Sequence, residues 1–242
     1  MVIPKIKDIL NIKKNTPVRK KPRHIAVTMM GSTIWARQNN IPKNIMYSKK
    51  HEVLKKIIDL QIKNDVPIIT FYLTRKKIED SQEFITLIDS LIKLFEELKN
   101  DERIHKNQIK ISILGKWYDL QRLVEPIKAI IDVTKDYDKF FINLCVNYEG
   151  KEEIVDACKL IARKIKADKL DIDSIDEDII KENLYSSYFL PPDLIIITGK
   201  RKKNYGLLLW DSGNAVIHYS NKLWPEFTAN DFLNAIKDYQ EN

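Results

Sequence analysis

Residues 192–203 read PDLIIITGKRKK, and from Leu194 to Ile197 the run holds no polar residue. A strand with one wet face alternates apolar and polar residues. An unbroken apolar run suits a strand buried on both faces, as in a parallel sheet covered by helices. Working outward, similar runs return as FFINLCVNY (140–148), IKISILG (109–115), VPIITFYL (66–73) and HIAVTMM (24–30), the last entering a loop GST. YGLLLW (205–210) and NAVIHY (214–219) add strand-forming segments behind the first run. Helical periodicity fills the intervals. Residues 45–64 place Val53, Leu54, Ile57, Ile58 and Ile62 on one side. Asp80 and Glu83 form a capping pair for a helix reaching Asn100, with Phe84, Leu87, Ile88, Leu91, Ile92, Phe95 and Leu98 on a wide apolar face. Further helices are expected over 119–135, from Lys151 to Ala167, after a Ser174–Glu177 capping pair, and from Ala229 to Tyr239. This order predicts a single α/β domain, residues 23–242, with a mainly parallel sheet of about six strands flanked by about seven helices.

Composition narrows the partners. Of 242 residues, 44% are hydrophobic and 31% charged, which suits a folded chain with a sizeable core. Lys and Arg number 41 against 34 acids, a formal charge of +7 that favours a phosphorylated ligand, a lipid surface or nucleic acid. Residues 1–22 form a basic amphipathic segment, with Ile3, Ile6, Ile9 and Leu10 along one side. It reads equally as a helix lying on an anionic membrane or as a solvated lead-in. No run is long enough to span a bilayer, and the start has too many lysines for a secretory signal. Cys145 and Cys158 fall in expected core elements, which predicts no disulfide and a reducing, cytoplasmic setting.

Most familiar motifs are missing. There is no G-x-G-x-x-G, no Walker loop and no C-x-x-C, and the four histidines lack metal-ligand spacing. DIDSIDED (171–178) lacks the turn glycine of a calcium loop. GKRKK (199–203) follows a strand at the sheet end where α/β proteins bind ligands. Its cations suit a diphosphate, or form a solvated loop. Nucleic-acid binding is not expected, because the aromatic residues are not interleaved with this basic run.

Four segments resemble, in order, the motifs of the cis-prenyltransferases, the undecaprenyl and dehydrodolichyl diphosphate synthases. PRHIAVTMMGSTIWA (22–36) is similar to H-I-A-x-I-M-D-G-N-x-R-W-A and NYEGKEEIVDA (147–157) to N-Y-G-G-R-x-E-I-V-x-A. PDLIIIT (192–198) resembles P-D-L-L-I-R-T, and LWPEF (223–227) resembles L-W-P-D-F. The resemblance implies a parallel-sheet fold with an apolar tunnel for a growing isoprenoid chain; the apolar face of the helix over 81–100 suits a tunnel wall and equally suits core packing. It also implies a dimer, and extension of an allylic diphosphate by isopentenyl diphosphate with magnesium.

The departures from those motifs fall on charged residues. Met30 stands at the aspartate that organises magnesium, and a thioether is a poor ligand for a hard cation. Ser32 and Ile34 stand at the motif's asparagine and arginine, Tyr47 at a following histidine, Ile197 at the arginine of L-I-R-T. Lys203 and Tyr205 align with the arginine and serine that hold the second diphosphate, and Val216 lies near a strand glutamate. TRKKIEDS (74–81) replaces S-x-E-N-W-x-R, and the chain closes DYQEN without R-x-G. Gly31, Ser32, Lys43, Lys200 and Lys203 are therefore the expected diphosphate contacts, with no catalytic residue and no metal or cofactor held by this chain. Asn147, Tyr148 and Trp210 are the expected dimer face. The pattern predicts a non-catalytic subunit of a heteromeric cis-prenyltransferase, in a heterodimer or heterotetramer whose catalytic partner holds Mg²⁺. The alternatives are a homodimeric synthase of weak or altered activity, with Glu79 or Asp80 supplying a carboxylate, and a non-enzymatic isoprenoid-binding protein.

Overall fold

Six strands form in the computed structural model, which describes residues 21–75 and 81–241. They are β1 (His24–Thr28), β2 (Ile68–Tyr72), β3 (Ile109–Leu114), β4 (Phe140–Cys145), β5 (Leu194–Thr198) and β6 (Val216–Ser220). All pair in parallel, in the order β3-β4-β2-β1-β5-β6. β1, β2 and β5 are buried along their whole length, as unbroken apolar runs in an inner parallel strand must be. Ile25 and Val27 point into one apolar cluster and Ala26 into the other, so each face of β1 has its own core.

Eight α-helices form among the described residues: α1 (Ser32–Gln38), α2 (Lys43–Asn64), α3 (Ser81–Lys99), α4 (Glu102–Lys106), α5 (Gln121–Thr134), α6 (Gly150–Lys166), α7 (Glu177–Glu182) and α8 (Ala229–Glu241). α3 packs on α2 and α5, and its face Leu87, Ile88, Leu91, Leu94, Phe95 and Leu98 is buried in the larger core. Phe84, expected on that face, lies one turn too early and is exposed.

Other expectations change too. GST is no loop: Gly31, at φ +97°, turns the chain directly into α1. L-residues rarely adopt this backbone conformation, which glycine takes without steric cost. YGLLLW is not a strand. Tyr205, Gly206 and Leu208 all have positive φ, and the segment coils into turns. Its leucines Leu207 and Leu208 are buried because the turns fold onto the second apolar cluster. α7 is capped by Asp176, whose carboxylate accepts from Ile179 N at 2.8 Å. The Ser174–Glu177 pair is therefore not its cap, and Ser174 belongs to a preceding 3₁₀ turn. Cys145 is buried as expected, but Cys158 is exposed on the outer side of α6. Residues 1–20, Glu79 and Asp80 lie outside the described residues, so the amphipathic segment, the Asp80 cap and the alternative carboxylates do too. No described helix is long and apolar enough to cross a membrane.

A buried polar network fixes the 204–211 turns against α6. Glu153 accepts from the Tyr148 hydroxyl and from Ser186 N at 3.1 Å, while Tyr148 Oη accepts from Leu208 N at 3.1 Å. Lys181 donates to the Ser186 carbonyl and to Asp211 Oδ2, each at 2.7 Å. The approach is close enough that a Cβ on Gly150 would stand 2.1 Å from the Gly206 carbonyl oxygen.

Candidate functional site

The carboxyl ends of β1, β2 and β5 meet where the chain leaves the sheet three times. Thr198 joins two of them: its hydroxyl donates to Thr28 O at 2.6 Å and accepts from Met30 N at 2.9 Å. Trp224 N then donates to Met30 O at 2.9 Å, and Gly199 N to Lys222 O at 2.7 Å. The backbone around Met30 is thus held at both its amide and its carbonyl. A Cβ on Gly31 would come within 2.7 Å of Leu223 Cδ2, so only glycine lets LWPEF close over this loop.

The loop's shape is kept while its chemistry is not. Met30 packs against the second apolar cluster, beside Gly199. Its thioether offers a divalent hard cation no oxygen and no charge, and no group of three or more acidic, His or Cys side chains among the described residues could hold a metal. The residues present do not fit the magnesium site that the resemblance implies.

Cations stand at the same end of the sheet. Lys43, at the start of α2, donates to Glu83 Oε2 of α3 at 2.8 Å. Tyr47 leans on the same carboxylate at 3.5 Å, and burial together with that negative neighbour raises its phenol pKa. Lys200 and Lys203 are exposed in the loop after β5, as a solvated reading of GKRKK had it. Arg75, just past β2, lies with its guanidinium 5.2 Å from the Tyr205 ring centroid and 4.0 Å from Glu149. Lys50 reaches inward from α2 and donates to Leu73 O at 2.7 Å. Burial lowers its pKa from 10.5 to about 8. Ser32 Oγ is buried with no hydrogen-bond partner, an unused polar atom one residue beyond Gly31.

The fold therefore gathers Met30, Gly31, Ser32, Lys43, Lys200 and Lys203 at one end of the sheet. It adds Lys50 and Arg75, which sequence reasoning missed. The signal for Lys50 was its position: it follows Met46 and Tyr47 and precedes Val53 and Leu54, on the stripe that α2 buries. The dimer-face residues divide. Trp210 is exposed beside exposed Leu209. Asn147 is turned inward, donating from Nδ2 to Lys116 O at 2.9 Å. Tyr148 is 0% exposed and offers no surface to a partner, because its hydroxyl serves the Glu153 network.

Comparison with known proteins agrees with the fold. Residues 28–242 match the family described as "Putative undecaprenyl diphosphate synthase". An isoprenyl transferase of Prochlorococcus marinus is 35% identical over 243 residues, covering 97% of this chain and 87% of the relative. A tritrans,polycis-undecaprenyl-diphosphate synthase (geranylgeranyl-diphosphate specific) of Thermoplasma volcanium is 35% identical over 223 residues, covering 91% of this chain and 86% of the relative. The crystal structure of lavandulyl diphosphate synthase from Lavandula x intermedia, in complex with dimethylallyl diphosphate, superposes with a TM-score of 0.85 at 22% identity. It covers 92% of this chain and 96% of that one, a likeness of fold. With the family match spanning strands β2 to β6, the Met30 loop and the closing LWPEF segment, the chain belongs to the undecaprenyl diphosphate synthase family of cis-prenyltransferases.

Proposed function

We propose that this chain handles isoprenoid diphosphates as a divergent polyprenyl diphosphate synthase of weak or altered activity. One observation carries the reading. The carboxyl end of the sheet brings together Lys43, Lys50, Arg75 and the unpartnered Ser32 hydroxyl, around a loop whose backbone is held as a ligand cradle must be. The relatives, enzymes by name, favour it.

The reaction breaks the C1–O bond of an allylic diphosphate, and pyrophosphate leaves with the electron pair. Isopentenyl diphosphate then forms a new C–C bond and loses a proton. Negative charge accumulates on the departing oxygens, where positioned cations lower the barrier. In this chain the part falls to lysine and arginine alone, and a lysine ammonium stabilises as a point charge without the fork of arginine. Losing one such electrostatic group costs on the order of 10² to 10³ in rate, so activity is expected to be low. The growing chain takes the tunnel implied by the family, between α2, α3 and the sheet. The face of α3 there is Leu, Ile and Phe, packed in this structure, so prenyl binding must part it.

A second reading is favoured by Met30 itself. Scaffold kept and carboxylate lost suits a non-catalytic subunit whose partner, a complete family member, brings its own magnesium site. Trp210 and Leu209 then belong to the shared face. Incorporation of labelled isopentenyl diphosphate into an allylic primer separates the two readings. Turnover by the purified chain alone supports the synthase. Silence alone, with stable co-purification and enhanced turnover beside a complete family member, supports the accessory subunit. Stoichiometric isoprenoid binding with neither would leave a carrier and refute both.

A further inference from the structure

We infer that Lys50 is a diphosphate-binding residue, its ammonium occupying from helix α2 the place of positive charge that the family fills with a metal ion. This rests on reading the site as a diphosphate site. The placement follows from backbone connections. β1 and β2 run in register with Thr28 opposite Tyr72, so Met29–Met30 and Leu73–Thr74 leave the sheet side by side. Lys50 Nζ lies on Leu73 O, the first carbonyl beyond β2. Trp224 ties the two together, donating its backbone N–H to Met30 O and its indole Nε1–H to Lys50 O, each at 2.9 Å. Trp224 therefore holds the backbone of the lysine's helix and the backbone of the methionine's loop at once.

The ammonium is under-satisfied. It has three donors and one acceptor, and among the described residues no carboxylate pairs with it. Lys50 is half-buried, and a cation drawn partly out of water without a counter-ion is costly, a cost that an anionic ligand would offset. The depressed pKa reports the same deficit. The other lysines of α2 differ: Lys43 is paired to Glu83, Lys49 to Glu52 and Lys55 to Glu97, while Lys56 and Lys63 are exposed to water. Ser32 Oγ, buried and unpartnered next to Met30 and Gly31, is a second polar group there awaiting a ligand.

Isothermal titration of the full chain with inorganic pyrophosphate in EDTA tests this, on wild type, Lys50→Met and Lys93→Met. Lys93 is an exposed lysine of α3 that controls for lost net charge. Methionine keeps the stem of Lys50 and removes only the charge, and a melting curve confirms that the variant folds. The expected result is metal-free binding by wild type, weakened at least about tenfold in Lys50→Met and less than about twofold in Lys93→Met. Equal binding by wild type and Lys50→Met, or binding by wild type only with added magnesium, overturns the role of Lys50 and leaves the diphosphate site standing. No binding by wild type with or without magnesium overturns the site reading as well.

Discussion

Lowering the pH from 7.5 to 4 should remove about 3 kcal/mol of stability through one residue, His24. Its Nδ1 lies 2.6 Å from Leu190 O, an acceptor only, so Nδ1 carries the proton. Nε2 is then the acceptor, taking the Thr70 hydroxyl at 2.8 Å, while Thr70 Oγ1 accepts from Asn143 Nδ2 at 3.1 Å. The chain of bonds crosses β1, β2 and β4 and is complete only with a neutral imidazole. Burial lowers the His24 pKa from 6.5 to about 4, opposed by the Leu190 carbonyl and more weakly by Asp211 and Asp193. The folded pKa is depressed, so the contribution is full above 6.5 and is lost as pH falls towards 4. The gap is about two and a half pH units at ~1.36 kcal/mol each, nearly all of it spent by pH 4. Urea unfolding at half-unit pH steps, for wild type and His24→Gln, isolates the effect as the difference between two curves. The difference should shrink by about 3 kcal/mol across the window. Parallel curves would refute the buried neutral imidazole.

Gly31→Ala should destabilise by about 2–4 kcal/mol, from a left-handed backbone and the overlap with Leu223, read as a lower urea midpoint. Asp211→Ala strands the buried Lys181 ammonium and should cost about 3–5 kcal/mol. Lys181→Met in the same background should recover much of that loss, and no recovery would argue against an ion-pair origin. Met30→Asp puts a carboxylate on a backbone already held by Thr198 and Trp224. Magnesium should then tighten pyrophosphate binding to the variant about tenfold and leave wild type unchanged, by calorimetry.

The fold was legible because parallel strands buried on both faces must be apolar throughout, and LIIIT, IITFY and HIAVT carry that demand locally. Met30, too, is a fact of the sequence: no packing can turn a thioether into a carboxylate. YGLLLW shows the limit. Its apolar run meant burial, but positive φ at Tyr205, Gly206 and Leu208 and the anchors at Tyr148 and Gly150 made it turns. The α2 cation shows the same limit at the site. Lys50 is one of three lysines between residues 43 and 50, and although it falls on the stripe that α2 buries, its residue type does not distinguish it from the solvated ones. What sets it apart is a carbonyl 23 residues away and an indole 174 residues away, brought together by the crossover from α2 to β2 and the return of the chain beyond β6. Local residue type determines which segments are buried; which cations are drawn in without a counter-charge depends on contacts far apart in the chain, and only the tertiary structure makes those.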